Sequence, residues 1–164
     1  IFEAFRVDVV VTHTMTSEPE LVPPIEVVEI PGLRSVDYVA YPIPDQIADK
    51  VAALVETHAD RPSTRYRDLV DLVLIATTQT VDARSLRVAL LSEHKRRGLE
   101  SEAAPALPSA EWRDGYRTMA VNVPGFGPVD ADDAIAIVRQ FVKPVLTGLS
   151  VGTWNPDGLE WTSP

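Results

Sequence analysis

Lys50, Arg65, Arg67, Asp68 and Asp71 stand close together in the stretch Tyr41 to Ala76, and Asp8 stands apart in a β-branched run from Phe5 to Val11. Cations and carboxylates gathered in this way suit one kind of chemistry. Phosphoryl-type transfer needs cations to neutralise a polyphosphate and carboxylates to hold the metal that aligns the attacking and leaving oxygens. Competing sets are missing from the sequence. No Ser/His/Asp pattern or glycine-rich phosphate loop occurs. His13, His58 and His94 lack the spacing of a zinc site, and with no cysteine in the chain there are no thiolate ligands.

The elements that must position these residues follow from periodicity. Phe5 to Val11, carrying Asp8, and Ile25 to Ile30 read as strands, and Val36 to Tyr41 as a short third. Ser17 to Pro24, with its prolines and acids, is a connection. From Asp45 the period becomes helical through Ile47, Val51, Leu54, Val55 and His58, with an end expected near Asp60 to Pro62. Lys50 lies about 60° off the centre of that apolar face at ~100° per residue. Thr64 to Thr77 is apolar around nearly its whole circumference and should be a buried helix, with Arg65, Asp68 and Asp71 as a polar strip spaced by three.

A third helix, Asp82 to Arg97, has an aspartate cap and ends in cations before Gly98. An Ala/Pro/Glu linker covers Glu100 to Pro108, and a short helix follows around Trp112 to Met119. After a Gly/Pro loop at Pro124 to Pro128, a last helix should run from Asp130 to Leu149, kinked at Pro144. Asp130-Ala131-Asp132 caps that helix and is not a metal pair. The tryptophan-bearing tail after Gly152 yields no element by periodicity.

The pairing of a lysine helix, Asp-Gln-Ile-Ala-Asp-Lys, with Arg65-Tyr66-Arg67-Asp68-Leu69-Val70-Asp71-Leu72 resembles the paired motifs of the AbiEii/AbiGii-type nucleotidyltransferase toxins. In that family the second motif commonly reads Arg-x-Lys-Asp-Leu-x-Asp-Leu, so Arg67 stands where a lysine is usual. The resemblance covers about Phe5 to Ala76. It implies an α+β fold: a partial nucleotidyltransferase sheet like that of the DNA polymerase β superfamily over residues 1–41, then a helical bundle over 42–164. It also implies a nucleoside triphosphate and Mg2+ as cofactors, with a nucleotide passed to an acceptor such as tRNA, and a cognate antitoxin as partner. Asp8 matches the third metal-side carboxylate. Lys50, Arg65 and Arg67 would meet the nucleotide, with Lys50, Asp8 and Asp68 as the catalytic set.

The family's Gly-Ser turn and Asp-x-Asp pair are not found upstream of Asp8. Since the chain opens at Ile1 inside what reads as a strand, a start within the fold is expected, and with it no transferase activity from the 164 residues alone.

Plainer assignments stand beside these. Asp8 could be a solvent-facing strand residue and Lys50 a flank residue whose stem covers apolar surface. The Arg65/Asp68/Asp71 strip could be an ion-pair set docking two helices, the role assigned chiefly to Asp71. A non-catalytic nucleotide-binding or protein-interaction module, or a small-molecule nucleotidyltransferase, would use the same residues.

Charge narrows the choice of partner. Fifteen Lys+Arg against 24 Asp+Glu give a net charge of -9, which opposes indiscriminate nucleic-acid binding. Arg84, Arg87, Lys95, Arg96 and Arg97 nevertheless share one helix, which could contact RNA phosphates or simply complement its own C-terminus. No apolar run reaches the ~18 residues of a membrane-spanning helix and no signal peptide opens the chain, so a cytoplasmic protein without a membrane partner is expected.

Overall fold

A computed structural model of the chain describes residues 15–24, 32, 36–56, 64–107, 109, 111–128 and 130–163. The expected strands at Phe5 to Val11 and Ile25 to Ile30, and with them Asp8, lie outside the described residues. Among those described, the order is β1 (Glu20–Val22), β2 (Tyr38–Ala40), α1 (Ile43–Val55), α2 (Tyr66–Thr78), β3 (Val81–Asp82), α3 (Ala83–Arg97), α4 (Glu111–Ala120), α5 (Ala131–Leu146), β4 (Thr153–Asn155) and β5 (Glu160–Thr162). The fold is mixed α+β. β1 pairs antiparallel with β2, Glu20 opposite Ala40, and a second antiparallel sheet runs β3-β4-β5. That second sheet stands in the part of the chain read as helical.

Helix α1 opens behind prolines that suit a first turn, and it buries Ile47, Ala48, Val51 and Leu54 against α3 and α2. Its chain turns extended at Glu56, several residues before the expected end. Asp45, where the helical period begins, stands in the first turn and has a larger task. It is buried, and its carboxylate accepts from the Thr16 amide and hydroxyl, both at 2.9 Å, and from the Ser17 amide at 3.3 Å. The segment leading into β1 is thereby tied to the start of α1, and the buried charge is satisfied.

Helix α2 is the buried element its composition demands, with Leu69, Val70, Leu72, Val73, Ile75 and Ala76 all in the core. α3 begins and ends as its residues dictate. Asp82 accepts from the Ser85 amide at 2.8 Å, and Gly98 takes a left-handed conformation that lets Leu99 donate back to the His94 carbonyl. α4 lays Trp112 and Tyr116 inward, the Trp112 ring 4.9 Å from that of Tyr66 on α2.

The last helix is shorter than its apolar spacing suggests. Gly148 has φ 74°, Leu149 donates back to the Pro144 carbonyl, and Leu149 is 82% exposed instead of lining the core face. Arg87 completes the stop, donating to the carbonyls of Val145 at 2.6 Å and Leu146 at 3.0 Å. The Val145 carbonyl also accepts from the Gly148 amide at 3.1 Å, and the Leu146 carbonyl, past the reach of the helix's own amides, takes Arg87 as its donor. Pro144 therefore sits in the final turn and does not divide a longer helix.

The tail becomes structure through its indoles. Trp154 is fully buried between Phe141 and Trp161, and it donates to the Ala76 carbonyl at 2.7 Å. Trp161 donates to the Phe141 carbonyl at 2.9 Å. The β4-β5 hairpin is thus fastened to α2 and α5.

Candidate functional site

Helices α1, α2 and α3 meet around a cavity of about 530 Å3, lined by Tyr41, Gln46, Asp49, Lys50, Ala53, Arg65, Asp68 and Arg97. That volume falls in the range of small-ligand sites, roughly 300–1,000 Å3. Three cations and two carboxylates are in the lining, so the opening is polar and slightly electropositive. A larger cavity of about 670 Å3 lies beside the start of α3 and the loop 148–153, but the Arg87 guanidinium there serves the α5 carbonyls.

Lys50 reaches the cavity from the flank of α1, as its helical angle suggests. Its ammonium is 2.6 Å from Asp71 Oδ2 and 3.5 Å from Asp68 Oδ1, and Arg65 Nη1 is 3.7 Å from Asp68 Oδ2. Spacing by three puts Asp68 and Asp71 on one side of α2, and that side faces Lys50. Lys50, Arg65 and Asp68 are therefore brought together. Arg65 stands at the N-cap of α2, with no place inside a buried helix, and its side chain is 54% exposed. Arg67 is exposed and absent from the lining, because one residue along a helix turns ~100° away from Asp68. Asp8 lies outside the described residues. Among the described residues, no group of three His, Asp or Glu is placed to hold a metal ion.

Sequence reasoning missed a second cluster on the other wall. Arg97 donates to Glu93 at 2.5 Å and to Glu56 at 2.9 Å, and it approaches Asp49 at 3.7 Å. Arg96 also binds Glu93, through Nε at 2.7 Å, and lies 3.8 Å from Asp49. Burial pushes the Glu93 carboxyl up, but hydrogen bonds from Arg96 and Arg97 outweigh it and hold the group down at about 2. Asp49 in turn accepts from the Tyr41 hydroxyl at 3.0 Å, and Gln46 donates to the Tyr41 carbonyl at 2.6 Å. Burial, with the Asp49 hydrogen bond and charge, raises the Tyr41 phenol. The spacing of Glu93 from Arg96 and Arg97, by three and four, was the available signal.

This cluster bears on the two uses open to the cations of α3, contact with RNA phosphates or service to the protein's own groups. Arg96 and Arg97 are held by carboxylates and Arg87 by helix carbonyls, so three of the five cations on α3 have partners within the protein, with Arg96 still 40% exposed. Their charge serves the packing of α1 and α5 on α3.

Among the described residues no helix is long and apolar enough to cross a membrane. No curated protein and no solved structure matches the chain. The family model described as the nucleotidyl transferase AbiEii toxin of type IV toxin–antitoxin systems matches residues 1–137. The match extends well past Ala76, where the recognisable motifs end, and takes in α3, α4 and the first part of α5. With most of its length matched, and with Lys50, Arg65 and Asp68 of the paired motifs meeting at one cavity, the chain belongs to the AbiEii nucleotidyl transferase toxin family of type IV toxin–antitoxin systems.

Proposed function

We propose that the α1/α2/α3 cavity receives the triphosphate of a nucleoside triphosphate, and that the protein passes the nucleotide to an acceptor such as tRNA as the toxin of a toxin–antitoxin pair. The observation that carries this reading is the convergence of Lys50, Arg65 and Asp68 from two helices on one cavity of suitable size. An acceptor hydroxyl would bond to the α-phosphorus as the bond to the β-phosphate oxygen breaks, its proton passing to water and pyrophosphate leaving. Lys50 and Arg65 offset the charge that builds on the leaving phosphates, and Asp68 holds both cations in place.

On this reading residues 1–41 belong to a nucleotide-binding sheet of the DNA polymerase β kind and 42–164 to the helical part. Asp8 is the metal-side carboxylate by resemblance, where Mg2+ would neutralise phosphate charge. Among the described residues no three carboxylates or histidines are placed to hold that ion. Cognate antitoxin would be co-produced with the toxin, in the cytoplasm.

The test is transfer of label, by the protein as its gene encodes it, from each α-labelled nucleoside triphosphate to total RNA, purified tRNA and small-molecule acceptors, with Lys50→Gln and Asp68→Asn alongside. Label should appear in RNA and fall at least about a hundredfold in Lys50→Gln, the scale set by removing one group that stabilises a transition-state charge. Transfer undiminished by Lys50→Gln sinks the site assignment, and transfer to small molecules alone replaces the acceptor.

A further inference from the structure

Lys50 lines the cavity, yet its nearest partner does not. Asp71, 2.6 Å from the ammonium, lies outside the lining, whereas Asp68, at 3.5 Å, is part of it. The two carboxylates also differ in what each keeps if Lys50 turns away. Asp68 retains Arg65 at 3.7 Å, and Asp71, at 33% exposure, is open to water. Departure of the ammonium therefore leaves neither carboxylate buried and unpaired.

We propose that Asp71 is the counter-ion Lys50 leaves when a polyphosphate enters, so that Asp71 sets the affinity of the cavity for phosphate. This rests on the reading that Lys50 meets the triphosphate. An ammonium has three donors on a flexible stem, so it can move from a half-buried carboxylate that water still reaches to phosphate oxygens. With Asp71 ionised beside it, the cation's field toward the cavity is reduced and an entering anion meets an additional negative charge.

The two possible roles of Asp71 predict opposite signs. If Asp71 merely orients Lys50 or docks α2 on α1, its neutral variant loses phosphate affinity. If it competes for Lys50, the neutral variant gains affinity, the gain is larger for more highly charged ligands, and salt diminishes it.

The experiment is calorimetric titration of the full chain with inorganic tripolyphosphate and with a nucleoside triphosphate, comparing Asp71→Asn, Asp71→Ser, Lys50→Gln and the Lys50→Gln/Asp71→Asn double variant. Asp71→Asn should bind tripolyphosphate about tenfold more tightly, which corresponds to about 1.4 kcal/mol. The gain should shrink at high salt and vanish in the double variant. Asp71→Ser decides the matter if Asp71→Asn fails to fold. Unchanged or weaker binding in the folded neutral variant, while wild type binds through Lys50, overturns the counter-ion role alone. Wild type that does not bind tripolyphosphate, or binding indifferent to Lys50→Gln, overturns this inference together with the site it rests on.

Discussion

The indole of Trp154 donates to the main-chain carbonyl of Ala76 at 2.7 Å across 78 residues of sequence, fastening the C-terminal hairpin to the helix that carries Asp68 and Asp71. Trp154→Ala removes a fully buried ring and should destabilise the protein by about 3–5 kcal/mol. Trp154→Phe keeps much of the packing but leaves the carbonyl without that donor, for a loss of about 1–3 kcal/mol. Urea unfolding of both variants checks the order, and a Trp154→Ala protein as stable as wild type would show the hairpin to be dispensable.

Gly115 on α4 lies directly beneath the ring of Tyr66. A Cβ there would come within 2.7 Å of the ring carbons Cε1 and Cε2, so the substitution forces the Tyr66 ring from its place against Trp112. In an open helix Gly→Ala stabilises by about 1 kcal/mol, but here Gly115→Ala should destabilise by about 1–3 kcal/mol. Pairing it with Tyr66→Leu should recover part of that loss. Thermal melting of the two single variants and the double variant measures the coupling, and a raised melting temperature in Gly115→Ala would contradict the contact.

Acid should weaken the fold in two windows. Burial draws the His94 imidazole below its ordinary 6.5, and the backbone of Glu100 and Ser101 with the charge of Glu93 does not offset it. The unfolded chain therefore takes up more protons, and stability falls as pH drops below 6.5. Glu93 follows the same sign lower down. Its contribution is complete above the ordinary 4.5 and is lost as pH falls toward about 2. His94→Leu should flatten the slope of unfolding free energy between neutral pH and about pH 5, leaving the lower window intact. An unaltered slope in that variant would assign the upper window elsewhere.

Arg97→Gln should behave as a packing variant and not as an RNA-binding one. Its guanidinium joins Glu93 on α3 to Asp49 on α1 and to Glu56 just past the end of α1, so its loss leaves a buried carboxylate with fewer donors and costs about 1–3 kcal/mol. Any RNA association should keep its salt dependence. Filter binding across a range of salt concentrations decides this: a flattened slope in a folded Arg97→Gln protein would return α3 to the nucleic-acid surface.

Local chemistry was legible along the chain wherever short-range interactions decide structure. The switch to helical period near Asp45, the all-round apolar α2, the Asp82 cap, the Gly98 stop and the Asp130 cap are written in residues a few positions apart, and the helices stand close to where that spacing puts them. The family motif around Lys50 and Asp68 is equally local. What neighbouring residues cannot encode is which distant group satisfies a buried donor or charge. Asp45 looks like any first-turn acid until Thr16 and Ser17 reach it, and Leu149 looks like core until Arg87 and Gly148 end the helix before it. Arg96 and Arg97 look like a solvent-facing cationic end until α1 brings Asp49 and Glu56 beside them. The sequence alone determined the helices and the paired motifs, because capping and amphipathic burial act within a turn or two. Only the tertiary structure decided which carboxylate holds each cation and where the tryptophan tail docks, because desolvation makes a buried polar group take whatever partner the packed helices bring within reach.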